Sequence, residues 1–122
     1  MFNAIIGNAS ELNSKILSNE YSWLLANNES FQIGFTLFRD LFIFTNFRVI
    51  LINKQGITGQ KMEVMSIPYQ RITKFSVESA GTFDLDSELK IWIMGQAEPI
   101  INKFRKNYNI KEIYRILSNF VI

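Results

Sequence analysis

Apolar and polar residues alternate in a succession of short runs through the middle of the chain, and each run reads as a strand. The stretch SFQIGFTLF sets Phe31, Ile33, Phe35 and Leu37 against Ser30, Gln32, Gly34 and Thr36. Period-two alternation of this kind predicts a strand with one buried and one wet face, beginning near Glu29. Gly34 is a candidate bulge or bend, and Arg39-Asp40 a turn. In the next run Leu41 and Ile43 point one way and Phe42 and Phe44 the other, so both faces are apolar. After a turn at Asn46 the pattern repeats, with Phe47, Val49 and Leu51 on one face and Ile50 and Ile52 on the other.

The loop from Lys54 to Gly59 carries two glycines but lacks the order GxxxxGK[ST] of a phosphate-binding loop. It reads as a hairpin connection. A fourth strand is predicted over 60–67, ending at Pro68, and a fifth over 72–79 with Phe75 and Val77 on one face. Leu89, Ile91 and Ile93 line a sixth, and Gly95-Gln96 turns the chain into a seventh over 98–104.

The period changes at both ends. Residues 1–9 form a short apolar arm, and Ser10 is a candidate N-cap for a helix over 11–18, with Leu12, Ile16 and Leu17 on one face. Tyr21, Trp23, Leu24 and Leu25 make a second apolar cluster expected to pack on the strands. At the other end Ile110, Ile113, Tyr114, Leu117, Phe120 and Val121 form a helical stripe, and Asn109 with Glu112 has the form of a capping box.

These elements predict a mainly β, α+β domain: a partly open, seven-stranded antiparallel barrel over 29–122, closed by one C-terminal helix. Residues 1–28 are a helical extension packed on it. A small barrel needs one apolar face per strand. The doubly apolar strands therefore need an outer cover, either the N-terminal helices or another subunit. Phe42, Phe44, Ile50 and Ile52 are the candidate oligomer-interface residues.

Composition narrows the chemistry. Among 122 residues there is no Cys and no His, which removes disulfides, thiol catalysis, zinc–thiolate sites and the commonest general base. Asp84 and Asp86, in TFDLDSE, lack the glycine and glutamate of a calcium loop and read as a turn device. No cofactor and no metal are expected. The net charge of +2 is spread along the chain, without the basic stripe of a nucleic-acid binder. No basic n-region opens the chain and no run approaches the ~20 apolar residues of a membrane span, so a cytoplasmic protein is expected.

RDLFIFTNFRVILINKQGITG (Arg39–Gly59), SIPYQRITKFSVESAGTFDLDSELKIWI (Ser66–Ile93) and KEIYRILSNFV, with the N-terminal GNASE (Gly7–Glu11), together resemble the bacterial pleckstrin-homology (PH) domain family, formerly a domain of unknown function. The resemblance covers nearly the whole chain. It implies a PH-like barrel, a cyclic homo-oligomer and no enzyme activity, and it carries no functional residues over. Phosphoinositide-binding PH domains gather cations in the loop joining the first two strands. Here Leu37-Phe38-Arg39-Asp40 offers one Arg beside an acid, too few for a multiply phosphorylated head group.

The expected function is a non-catalytic interaction or scaffold module acting as a ring-shaped homo-oligomer, with another protein as a possible partner. The alternative is a weak peripheral adaptor for anionic lipid or peptide, for which Lys54, Lys61, Arg71 and Lys74 are the candidate anion contacts. A few scattered cations at about 1 kcal/mol each give only weak membrane adhesion.

Overall fold

In a computed structural model, residues 4–5, 10–37, 40–81, 86–105 and 110–122 are described. Among these residues nine strands and two helices follow in chain order: β1 (Ala4–Ile5), β2 (Ser10–Glu11), α1 (Ser14–Glu20), β3 (Phe31–Leu37), β4 (Asp40–Thr45), β5 (Arg48–Gln55), β6 (Lys61–Pro68), β7 (Ile72–Glu78), β8 (Asp86–Ile93), β9 (Ile100–Arg105) and α2 (Ile110–Val121). Short 3-10 turns occupy Ser22–Leu24 and Tyr69–Arg71.

The strands form two sheets, ordered β2-β3-β4-β5-β6 and β1-β9-β8-β7. The seven longer strands β3 to β9 are the predicted ones, and every pairing among them is antiparallel. Among the described residues no ladder joins β6 to β7, so the barrel is open there.

One core fills the space between the sheets. Phe35, Phe42, Phe44, Val49, Leu51, Leu89, Ile91 and Phe104 meet there, and α2 closes it with Ile110, Ile113, Ile116 and Leu117. Phe35 contacts Phe104 edge to face, with centroids 5.3 Å apart, tying one sheet to the other. The helix face differs from the predicted stripe: Ile116 is buried, and Tyr114 lies on the rim, 47% exposed. Glu112 pairs with Arg115 at 2.7 Å, whereas Asn109 of the expected capping box lies outside the described residues.

A second core lies outside the five-stranded sheet. Leu41, Ile43, Ile50 and Ile52 are covered there by Leu17 of α1 and Leu24, with Leu12, Tyr21 and Phe31 at the margin. The helix is not capped by Ser10, which belongs to β2 and pairs with Thr36. Asn13 is the cap, its side-chain oxygen accepting from Ile16 N at 2.9 Å. The N-terminal segment, read from the sequence as a short apolar arm, contributes β1, paired parallel with β9.

Two local features let the extension seat. The β3–β4 register shifts between Phe31 and Ile33, so the predicted strict alternation breaks. The bulge turns Phe31 to the outer core and leaves Ile33 in the inner one. Gly34 is the point of close approach: a Cβ there would stand 3.1 Å from Leu17 Cδ2.

Candidate interaction surface

The extension is anchored to the sheet by one buried polar cluster. Glu29 Oε1 accepts from Arg48 Nη2 and from Ala26 N, both at 2.8 Å. Its Oε2 accepts from Arg48 Nε at 2.9 Å and from Thr45 Oγ1 at 2.6 Å. Arg48 also donates through Nη2 to the Leu24 carbonyl at 2.6 Å and through Nη1 to Ser66 Oγ at 2.8 Å. Burial alone would raise the Glu29 pKa. The bonds from Arg48, Thr45 and Ala26, with the Arg48 charge, outweigh it and bring the carboxyl down to about 2. Below this cluster the Tyr69 hydroxyl donates to the Thr45 carbonyl at 2.6 Å. Burial, and then the Glu29 charge, push that phenol well above its ordinary value.

The four candidate interface residues are all enclosed by the single chain. Phe42 and Phe44 point into the inner core, while Ile50 and Ile52 lie beneath the N-terminal extension. At no more than 1% exposure, none presents a surface in the folded chain, and this corrects the assignment made from the strand pattern. The doubly apolar strands needed a cover, and the N-terminal segment supplies it.

The four candidate anion contacts do not converge. Lys54 is the cross-strand partner of Met62 and Lys61 that of Gln55, so the two lysines project from opposite faces of the sheet. Arg71 follows the far end of β6, where Pro68 stands seven residues beyond Lys61, roughly 23 Å along an extended strand. Its Nη1 lies 4.0 Å from Met94 Sδ. Lys74 lies on β7 with its Nζ 4.7 Å from the Trp92 ring centre, a cation–π contact. Asp86 opens β8, and Asp84 lies outside the described residues.

Of the four edge strands among the described residues, β1 and β2 are two residues long and β6 and β7 are the long ones. β6 ends one sheet and β7 the other, each paired on one side only among the described residues. Such an edge leaves backbone donors and acceptors available to another chain. The β6 edge is also apolar on its outer face: Met62 is 43% exposed and Val64 39%. Their strand partners are Lys54 and Ile52, so they adjoin the covered patch without being covered. The sequence carried this signal, since KMEVMSIP has apolar residues at both parities: Met62 and Val64 on one face, Met65 and Ile67 on the other.

No helix among the described residues is long and apolar enough to cross a membrane. Among the same residues, no cluster of three or more Asp or Glu side chains is gathered to hold a metal ion.

Two open antiparallel sheets with a helix across one mouth define a PH-like domain. The chain belongs to the bacterial PH domain family, whose model matches residues 1–121. It is 49% identical over 115 residues to the uncharacterized protein YjqA of Bacillus subtilis, covering 93% of this chain and 92% of that protein. Its fold is similar to a crystal structure of a DUF1696 family protein with a pleckstrin-homology domain from Shewanella loihica. The TM-score is 0.86 at 44% identity, over 96% of this chain and 100% of the other. A pleckstrin homology domain from Shewanella amazonensis is similar at a TM-score of 0.72 and 45% identity, over 95% of this chain and 94% of the other.

Proposed function

We propose that this chain is a non-catalytic interaction module that assembles with copies of itself into a closed ring, the β6 edge forming one side of each contact. The observation that carries this reading is the strand itself. β6 is eight residues long, lacks a second neighbour among the described residues and shows Met62 and Val64 to solvent on its outer face. Pairing with another copy satisfies the free backbone groups and removes the two side chains from water together. A ring needs two different contact surfaces on each copy, so β6 meets a surface other than its own counterpart.

Light scattering coupled to size exclusion, over a wide concentration range, tests the reading. The expected result is a concentration-independent multiple of the 14.2 kDa chain mass. The double variant Met62→Lys/Val64→Lys reduces it to a folded monomer. A wild-type monomer at every concentration overturns the proposal. The alternative of an anionic-lipid adaptor draws less support, because Lys54 and Lys61 lie on opposite faces of one sheet and Arg71 and Lys74 lie beyond the far end of β6. Salt-sensitive pelleting with phosphatidylserine vesicles is its test.

A further inference from the structure

Arg48 reaches two parts of the molecule at once. Through Nε and Nη2 it holds Glu29 and the Leu24 carbonyl of the N-terminal extension. Through Nη1 it donates to Ser66 Oγ on β6 at 2.8 Å. Ser66 is the cross-strand partner of Ile50, so it stands on the outer face of the sheet, at the margin of the second core. The residue is exposed. One guanidinium therefore ties a solvent-facing hydroxyl to the buried carboxylate that anchors the extension.

The hydroxyl is placed for modification. Ser66 Oγ is the acceptor in its bond with Arg48, so its own proton is not committed there. β6 is extended and has no strand on its outer side among the described residues, so it can lie in an enzyme cleft without unfolding. In a protein kinase, the Ser66 oxygen bonds to the γ-phosphorus of a nucleoside triphosphate while that phosphorus parts from its bridging oxygen. The nucleoside diphosphate leaves with the electron pair, and the hydroxyl proton passes to the kinase's Asp base.

The product changes what Arg48 meets. A phosphoserine carries about −1.5 to −2 charges at pH 7 and three acceptor oxygens, against a single charge on a carboxylate. Arginine takes phosphate through two parallel charge-assisted bonds. Attached to an oxygen that already touches Nη1, the phosphate draws the guanidinium outward, away from Glu29 and the Leu24 carbonyl. Glu29, whose side chain has no exposed surface, is then a buried anion with its compensation weakened and a second anion nearby. We infer that Ser66 is a phosphorylation site, and that its phosphate competes with Glu29 for Arg48 and loosens the N-terminal extension. This inference is independent of ring assembly, because it concerns how residues 12–28 are held within one chain.

Peptide mapping by mass spectrometry, on the chain isolated from its own cells, is expected to find phosphate on Ser66. Ser66 unmodified in both growing and stationary cells overturns the site. The consequence is read on the full-length chain with phosphoserine placed at position 66 by codon suppression, against the unmodified chain. Amide exchange over residues 12–28 should quicken roughly tenfold. A phosphorus NMR titration should put the second phosphate pKa below the ~6 of a free phosphoserine, the mark of pairing with Arg48. Arg48→Lys keeps the charge and loses the planar fork, so both effects should shrink in it. Unchanged exchange overturns the switch, as does an unshifted titration, which needs no variant. So do effects of equal size in Arg48→Lys. Ser66 shares its face with Met62 and Val64, so the native mass is measured on the same sample. A ring lost while exchange over 12–28 stays unchanged counts against the Arg48 switch alone, and a wild-type monomer against the ring alone.

Discussion

The Glu29 carboxylate, with no side-chain surface exposed, meets the Arg48 guanidinium at 2.8 Å and closes the N-terminal extension onto β5. Removing one partner of such a pair leaves the other partly desolvated and uncompensated, which costs on the order of 3 kcal/mol. Glu29→Gln is expected to lose about that much in urea unfolding at neutral pH. A loss below about 1 kcal/mol would show that the cluster repairs itself without the charge.

The same carboxylate sets an acid dependence. Its pKa falls from 4.5 to about 2 on folding, so the folded state favours the ionised form. A depressed carboxyl contributes stability that is present above the unfolded pKa and is lost as pH falls through the folded one. The window is therefore pH 4.5 down to about 2, and the contribution is on the order of 3 kcal/mol. Unfolding of wild type and Glu29→Gln should converge as pH drops through that window. A gap that stays constant from pH 6 to pH 2 contradicts this origin.

Leu17 and Gly34 form the other half of the attachment. At 3.1 Å, a Cβ on residue 34 presses on the Leu17 methyl group, and a larger side chain displaces α1. Gly34→Val is expected to destabilise by roughly 1–3 kcal/mol through overpacking. Leu17→Ala alone leaves a cavity and costs roughly 2–5 kcal/mol. In the double variant the valine occupies space the leucine vacated, so the two losses should be less than additive in a double-mutant cycle. Strict additivity would mean that the two residues do not share this contact.

Much of the fold was legible because period-two runs and one helical stripe were long and separated by clear turn residues. The two apolar faces around Phe42 and Ile50 correctly required an outer cover. The pattern did not say which cover, since a helix of the same chain and a strand of another present the same chemistry to it. The bulge at Phe31–Ile33 carries no local signature, and it moved Phe31 from one core to the other. Glu29 and Arg48 are 19 residues apart, and their pairing exists only once β3 to β5 are assembled. The exposed Met62 and Val64 were readable from their parity.

These assignments separate two kinds of charged substitution. Phe42→Asp and Ile50→Asp each bury an unpaired carboxylate in a filled core, a cost of several kcal/mol that rivals the whole stability of a domain this size. Both are expected to abolish cooperative thermal unfolding. Met62→Lys/Val64→Lys puts charge where solvent reaches in the single chain, and should keep the far-ultraviolet circular dichroism and cooperative unfolding of a folded monomer. A folded, soluble Ile50→Asp chain would contradict the role of the outer core.

Asn102 differs from the other buried polar residues, Glu29, Thr45 and Ser87, each of which has a hydrogen-bond partner. It is 1% exposed on β9, and neither its Oδ1 nor its Nδ2 has a hydrogen-bond partner among the described residues. Its strand partner is Leu89, and Ile100 and Phe104 share its parity on β9, so the amide faces the inner core. An unpartnered buried amide costs about 1–3 kcal/mol, and a β-branched apolar residue suits an inward position on a central strand. Asn102→Val is therefore expected to raise stability by about 1–2 kcal/mol in urea unfolding, with an unchanged denaturant slope. Asn102→Asp, which adds a charge at the same point, should lose far more than Asn102→Val gains. If Asn102→Val instead destabilises the chain, the amide is satisfied in solution and contributes to the fold, and the interior at β9 is polar by construction.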